Sequence, residues 1–350
     1  MSDNVLSRSI LHLNWRKAFP VFRYAAGSTI IFAFSAGYDY TLAYITPVLA
    51  LSFLAPGIPP LSIRVGVGFI LSIGIACLSG FMFGWMFVAI PVVFILLLGL
   101  ILFHIFYSGT INPLLKTWLL IALFLIPLLS TSSYQQGAVV SISLVVNAVA
   151  AVVLVWFVFT IFPFSYTQVS AEAQKSKPEL PAGNRLNTAM INLITVFPVV
   201  IIYYLFQWTG SILVLIFIAV LSLNPKGSSF KAGLMIILAN LAGGIGAILA
   251  YNLLVVVPDF FFLILITLII SLYFGRKVFS GKPAASLYGT AFSTYLLVLG
   301  SVTASEGDAG EAVWERILQI GIAVTYVVMA NWFLHRLSSS NKTSESNENS

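Results

Sequence analysis

Long apolar runs, separated by short polar breaks, fill most of the chain. A membrane-spanning helix needs about 20 apolar residues, fewer where other helices cover it, and the runs predict about twelve spans. The first six lie at roughly 21–38, 40–56, 63–83, 86–107, 114–130 and 138–162. The second six lie at roughly 188–207, 209–223, 232–256, 259–275, 284–301 and 312–334. The predicted fold class is an all-α polytopic membrane protein.

More polar segments frame these two groups of spans. Residues 1–20 mix basic and apolar side chains and predict an amphipathic helix on the membrane surface. Residues 164–187 are rich in Lys, Glu and Pro and predict a cytoplasmic linker, whereas residues 337–350 have the composition of a disordered tail. The chain therefore divides into two six-helix segments, 21–163 and 188–336.

Short landmarks recur in the same order in the two segments, which indicates an internal repeat. They pair Leu54-Ala55-Pro56 with Leu223-Asn224-Pro225, Arg64 and Gly66 with Lys231 and Gly233, Pro91 with Pro258, Pro113 with Pro283, and Trp156-Phe157 with Trp332-Phe333. Because each copy holds an even number of spans, both copies enter the membrane in the same orientation. The sequence predicts two parallel six-helix repeats related by a pseudo-two-fold axis along the membrane normal.

Composition and charge placement narrow this picture. Apolar residues make up 59% of the chain and charged residues 8%, which excludes a soluble enzyme because a soluble domain carries about 25% charge. Of the 17 Lys and Arg, only Arg316 falls on the predicted outer side, so both termini and the linker are expected in the cytoplasm. The basic residues lie between apolar runs rather than in a patch, which excludes a nucleic acid as partner.

Motifs of catalysis and cofactor binding are missing from the sequence. It contains no phosphate-binding GxxxxGK[ST], no HExxH and no GxSxG. The single Cys77 forms no pair, and the three His residues are far apart in sequence. We therefore expect no enzyme activity, no catalytic residue, no bound metal and no cofactor.

A transport site is best sought where short or interrupted spans occupy matching positions of two repeats. Spans two and eight fit this description and supply Tyr44, Thr46, Pro47 and Asn224 as candidates for a substrate path. The alternative is that Pro47 only kinks a packed helix.

Further polar positions near the two short spans extend the candidate path. The inner basic residues Arg64 and Lys231 could attract an anion or serve only to fix topology, and Arg23 could serve the same entrance. Asn240 could line the path or bond across helices.

Ionisable groups at membrane depth are candidates for energy coupling. His104 lies in span four, with an interfacial position as its alternative, and Asp39 lies at the outer end of span one. Glu315 and Arg316 lie in the first outer turns of span twelve and could face a water-filled vestibule.

The segment Tyr44-Ile45-Thr46-Pro47, followed by Ala55-Pro56, Arg64 and spaced glycines, resembles the fusaric acid resistance and aromatic acid exporter superfamily. Asn224-Pro225, Lys231, Gly233 and Asn240 look similar in the second half. Larger members carry a big cytoplasmic domain between the halves, where this chain has a short linker. The resemblance implies a bacterial inner-membrane exporter of small, aromatic and anionic compounds that works with a periplasmic adaptor of the membrane-fusion type.

The sequence leaves two functions of different classes to be tested. The first is a multi-pass transporter, with the lipid bilayer and a small-molecule substrate as partners and with homo-oligomerisation left open. The alternative is a non-transporting membrane scaffold or assembly subunit of an envelope complex.

Overall fold

The computed structural model describes residues 3–109, 111, 113–163, 182–206, 230–282 and 284–304, together with single helical positions at 214–215, 218, 314, 318–319, 321–323, 325–327 and 329–330. All the regular structure in these ranges is helical. The complete helices are α1 (Asp3–Tyr38), α2 (Ile45–Leu54), α3 (Ile63–Phe87), α4 (Pro91–Tyr107), α5 (Pro113–Ser132), α6 (Tyr134–Ile161), α7 (Ala182–Phe206), α8 (Phe230–Val256), α9 (Phe260–Val278) and α10 (Ala285–Thr303).

Seven helices in the described part of the chain are long and apolar enough to cross a membrane. They correspond to predicted spans three, five, six, seven, nine, ten and eleven. On α3 the exposed face is also apolar, since Leu71, Ile75 and Leu78 are all more than half exposed at helical spacing. The chain is a multi-pass helical membrane protein.

The first predicted boundary, at residue 20, falls inside a helix. α1 runs without interruption from Asp3 to Tyr38 and contains Pro20. At 1.5 Å per residue, these 36 residues extend about 54 Å, longer than a hydrocarbon core of about 30 Å. The predicted surface segment is therefore continuous with span one. Similarly, α7 begins at Ala182, inside the predicted linker, whose residues 164–181 lie outside the described ranges.

Span two, predicted over 40–56, is a helix of only 10 residues. Its length of about 15 Å is half the thickness of a hydrocarbon core. Residues 41–44 form a turn before α2, and an irregular segment follows it up to Ile63. The indole Nε1–H of Trp156 on α6 donates to the carbonyl of Leu61 at 2.9 Å. Irregular backbone at membrane depth is tolerated where protein or a cavity covers it, and this bond meets that need.

The chain forms two compact units, and each draws on both predicted halves. Unit 1 comprises Met1–Val67, Val146–Lys175 and Ala239–Glu315. Within it, α1 packs against α2, α9 and α10, and α10 also packs against α2 and α9. Unit 1 thus combines spans one, two and most of six with much of nine and all of ten and eleven.

Unit 2 comprises Gly68–Val145, Ser176–Leu238 and Arg316–Ser350. Within it, α4 packs against α5 and α7, and α5 contacts α7. Its apolar core includes Phe94, Leu98 and Phe124 and also takes in Leu215 and Ala323, which belong to predicted spans eight and twelve. The compact units therefore cut across the predicted sequence halves.

Candidate functional site

A cavity of about 470 Å³ lies within unit 1, where α1 and α10 end and α9 begins. Residues from α1, the 39–44 turn, the end of α8, the start of α9 and the end of α10 surround it. They are Phe32, Ser35, Ala36, Asp39, Ala43, Tyr44, Tyr251, Leu254, Val255, Pro258, Asp259, Phe260, Leu263, Gly300, Val302, Thr303 and Ala304. Its volume falls in the range of small-molecule sites, about 300–1,000 Å³.

Two close approaches set the walls of this cavity. The Cα of Gly37 faces the ring of Phe260, which brings the end of α1 beside the start of α9. A Cβ at Gly300 would lie 2.7 Å from the Cβ of Tyr44, so the bare backbone of α10 lets Tyr44 lie directly on it. Glycine at position 300 therefore fixes the distance between the 39–44 turn and α10.

A hydrogen-bonded clamp holds the turn that carries Tyr44. Thr46 Oγ1 donates to Asn147 Oδ1 of α6 at 2.7 Å and also pairs with the Tyr40 hydroxyl at 2.5 Å. Asn147 Nδ2 in turn donates to the carbonyl of Thr41 at 3.1 Å. Thr46 and Asn147 are fully buried. The oxygen and the nitrogen of the Asn147 amide thus tie the start of α2 and the 39–44 turn to α6.

Two carboxylates lie at the mouth of the cavity. Asp259 is the N-cap of α9, and its Oδ1 accepts from the Phe262 N–H at 3.1 Å. Asp39 directly follows α1 and has a φ of 39°, a left-handed conformation that is uncommon outside glycine but that Asp and Asn adopt more readily than other residues. Both side chains are exposed. None of the described residues that line the cavity is Lys, Arg or His.

The cavity ends about two helical turns into the unit. Phe32 on α1 and Leu263 on α9 are its deepest residues on those helices, and both are buried. One turn beyond Phe32, the hydroxyls of Thr29 and Ser271 bond to each other at 2.9 Å. Thr29 and Ser271 are buried and do not line the cavity, so on α1 and α9 the described lining lies toward one end of the helices.

The structure separates the sequence candidates of span two. Tyr44 lines the cavity, as a path residue should. Thr46 is fully buried in the clamp and does not line it. The expected interruption at Pro47 is wrong in position, because Pro47 is the third residue of α2, where a helix needs no N–H from it. Pro47 therefore starts a helix rather than kinks one.

The remaining candidates with described side chains lie away from the cavity. Arg64 is exposed in the first turn of α3, and His104 is exposed in the last turn of α4. Asn240 is 4% exposed, and its Oδ1 accepts from Thr294 Oγ1 at 2.6 Å, which links α8 to α10. Arg23 is buried, with its guanidinium 5.1 Å from the ring centre of Phe159.

Four candidates fall partly or wholly outside the described residues. Asn224, Glu315 and Arg316 lie outside them entirely. Lys231 is the second residue of α8, as Arg64 is of α3, but only its backbone is described.

Sequence reasoning missed several residues that shape the cavity. Nothing in the sequence indicates that Asp259 lies at the same cavity as Asp39, which is 220 residues away along the chain. The sequence around Gly300 does not mark it as a packing position, since it lies within the continuous apolar run of its helix. The one available clue was Pro258-Asp259 before an apolar run, which is a helix-start pattern.

Residues 20–159 match a family described as a protein of unknown function (DUF2955). The match runs from within α1 almost to the end of α6. It includes Asp39, Tyr44 and the Asn147 clamp, but not the α9 and α10 walls of the cavity. No curated protein and no solved structure matches the chain.

Proposed function

We propose that this protein is a membrane transporter that exports small, partly aromatic compounds. The observation that carries the proposal is the cavity in unit 1 beside a broken span, with Tyr44 at the start of α2 as one of its walls. Transporters typically place binding sites beside discontinuous helices, whose irregular backbone is stable only next to protein or a cavity. The resemblance to the fusaric acid resistance and aromatic acid exporter superfamily supports the same function.

The composition of the two units supports twelve spans in two repeats. Unit 1 holds all or most of spans one, two, six, nine, ten and eleven. The spans six places away from these are seven, eight, twelve, three, four and five, and these are the spans of unit 2. The packing between helices follows the same correspondence. In unit 1, span one (α1) packs on span ten (α9), and in unit 2, span seven (α7) packs on span four (α4). The pairs α9–α10 and α1–α10 likewise correspond to α4–α5 and α7–α5. The family match over 20–159 also coincides closely with the first proposed repeat, 21–163.

The proposed orientation puts both termini in the cytoplasm of a bacterial cell and the chain in its inner membrane. Within unit 1, Arg276 and Lys277 lie in the last turn of α9, at the end opposite Asp259, and Lys282 follows that end. By the positive-inside rule, this end is cytoplasmic and the cavity opens outward. A periplasmic adaptor could then receive the cargo at the cavity mouth, as the resemblance implies.

An efflux assay with a cavity-filling variant tests transport. We expect cells with the protein to retain less of at least one radiolabelled probe from a set of benzoate, phenol and tetraphenylphosphonium. Ala36→Phe should abolish that difference, because Ala36 lines the cavity. Ala33→Phe, three residues away on α1 and not in the lining, is the matched control and should retain efflux. If all probes are retained equally with and without the protein, the transport proposal fails and the scaffold function gains support.

A further inference from the structure

Among the described residues, the charged side chains that line the cavity are all acidic. Asp39 and Asp259 are its charged lining residues. Asp259 already accepts the Phe262 N–H as a helix cap, whereas the Asp39 carboxylate accepts no hydrogen bond from the described residues. Within the described part of the chain, the Asp39 carboxylate oxygens therefore remain available to accept from a ligand.

No basic side chain lies near these carboxylates along their own helices. Arg23 precedes Asp39 on α1 by 16 residues, about 24 Å, and Arg276 follows Asp259 on α9 by 17 residues, about 25 Å. Both distances exceed the screening length of about 8 Å at physiological ionic strength. The mouth of the cavity therefore has a negative potential that these cations do not cancel.

Aromatic rings supply the rest of the recognition surface. Phe32, Tyr44, Tyr251 and Phe260 all line the cavity. The face of an aromatic ring carries negative charge and attracts a cation within about 6 Å of the ring centre. Rings and carboxylates thus favour the same ligand, one with positive charge and apolar bulk.

We propose that the cavity of unit 1 binds organic monocations that carry aromatic groups. This ligand class differs from the aromatic acids that the family resemblance implies, since an anion would meet Asp39 and Asp259 at the mouth. The inference rests on the proposed function only where it treats the cation as cargo. Binding itself can be measured without transport.

Two probes of the same shape and opposite charge test the inference. Tetraphenylphosphonium and tetraphenylborate both hold four phenyl rings around one central atom. Equilibrium dialysis of the purified full chain in a neutral detergent, with protein-free micelles subtracted, measures the affinity for each. We expect tetraphenylphosphonium to bind at least tenfold more tightly, and to bind less tightly as salt rises from 50 to 500 mM, because the carboxylates are exposed.

Charge-removing variants locate the site at the cavity. Asp39→Asn keeps a residue that tolerates the left-handed conformation, and Asp259→Asn keeps a helix cap, so both should fold. We expect Asp39→Asn to weaken tetraphenylphosphonium binding about fivefold or more and Asp259→Asn to weaken it less. Glu172→Gln, in the predicted linker, removes the same charge elsewhere and should leave binding unchanged. Asp39→Gly serves as a second test of position 39 if the Asn variant is unstable.

Three results would overturn the inference: equal affinity for the two probes, a preference for tetraphenylborate, or unchanged phosphonium binding in both Asp variants. A flux measurement separates it from the proposed function. If proteoliposomes bind tetraphenylphosphonium with the expected Asp39 dependence but do not move it, the cation site stands and cationic cargo is excluded. If a non-cationic probe is transported while phosphonium does not bind, transport stands and the cation site is excluded.

Discussion

At the scale of single residues, Gly300 decides whether the cavity keeps its shape. An added Cβ would lie 2.7 Å from Tyr44 Cβ and 3.3 Å from the Phe32 ring, so Gly300→Ala must push α10 away from the 39–44 turn. We expect a loss of about 1–3 kcal/mol, as in other overpacked cores, seen as a lower thermal midpoint in a fixed detergent.

The same helix provides a control for this substitution. A Cβ at Gly289 on α10 would have no heavy atom of the described residues within 4 Å. Gly289→Ala should therefore stabilise by about 0.5–1 kcal/mol through helix propensity alone. Equal effects of the two substitutions would show that propensity, not the contact with Tyr44, governs position 300.

Buried hydroxyls in unit 1 give a second prediction at this scale. The hydroxyls of Thr267 and Tyr295 are buried close to each other, and neither makes a hydrogen bond of normal geometry within the described residues. Tyr295→Phe removes an unsatisfied polar atom and should leave the thermal midpoint unchanged or raise it. Thr29→Val instead breaks a bond of 2.9 Å to Ser271 and should lower it. A lower midpoint for Tyr295→Phe would mean that this hydroxyl is bonded, for example to water.

At the scale of elements, α2 depends on its clamp to α6. Its 10 residues are too few to form a stable isolated helix, so tertiary contacts must hold it. A double-mutant cycle of Thr46→Val and Asn147→Leu should give a coupling energy of about 1–2 kcal/mol, because the two side chains share one hydrogen bond. Ser141→Ala on α6 is the control, since Ser141 bonds back to Gly137 within its own helix. Strictly additive effects of the two substitutions would argue against the clamp.

Elements differ in how well their sequence predicts them. The ends of α4, α5 and α8 lie within five residues of the predictions, because apolar run length and proline at the first helical position determine them locally. The apolar run 40–56 instead predicted a longer helix than α2. The turn at 41–44 is held by Asn147, about a hundred residues away along the chain. Asp39 and Tyr44 could be named from the sequence, but their neighbours Asp259 and Gly300 could not.

At the scale of the whole molecule, the hydrophobic pattern cannot say which helices share a unit. In lipid every helix is apolar on most of its surface, so partners are chosen by close packing and polar bonds between distant residues. The Thr29–Ser271 and Asn240–Thr294 bonds are such contacts, and each joins positions more than 50 residues apart. The sequence predicts two repeats, but nothing in it predicts that each compact unit takes spans from both halves of the chain.

The short α2 makes the membrane topology testable at one place. If the chain from Thr41 to Ile63 crosses the membrane, α2 and the irregular segment after it together complete span two, and the count of twelve holds. Thr41, Ile63 and Ser280 are all exposed, and the native Cys77 is buried, so that Cys77→Ser removes the chain's single native thiol. In a Cys77→Ser background, we expect an impermeant maleimide to label Thr41→Cys in intact spheroplasts. Ile63→Cys and Ser280→Cys should react only after lysis, because the proposed orientation places the ends that carry basic residues in the cytoplasm. Labelling of Thr41→Cys and Ile63→Cys from the same side would instead make α2 a re-entrant segment, and the parallel orientation of the repeats would fall with it.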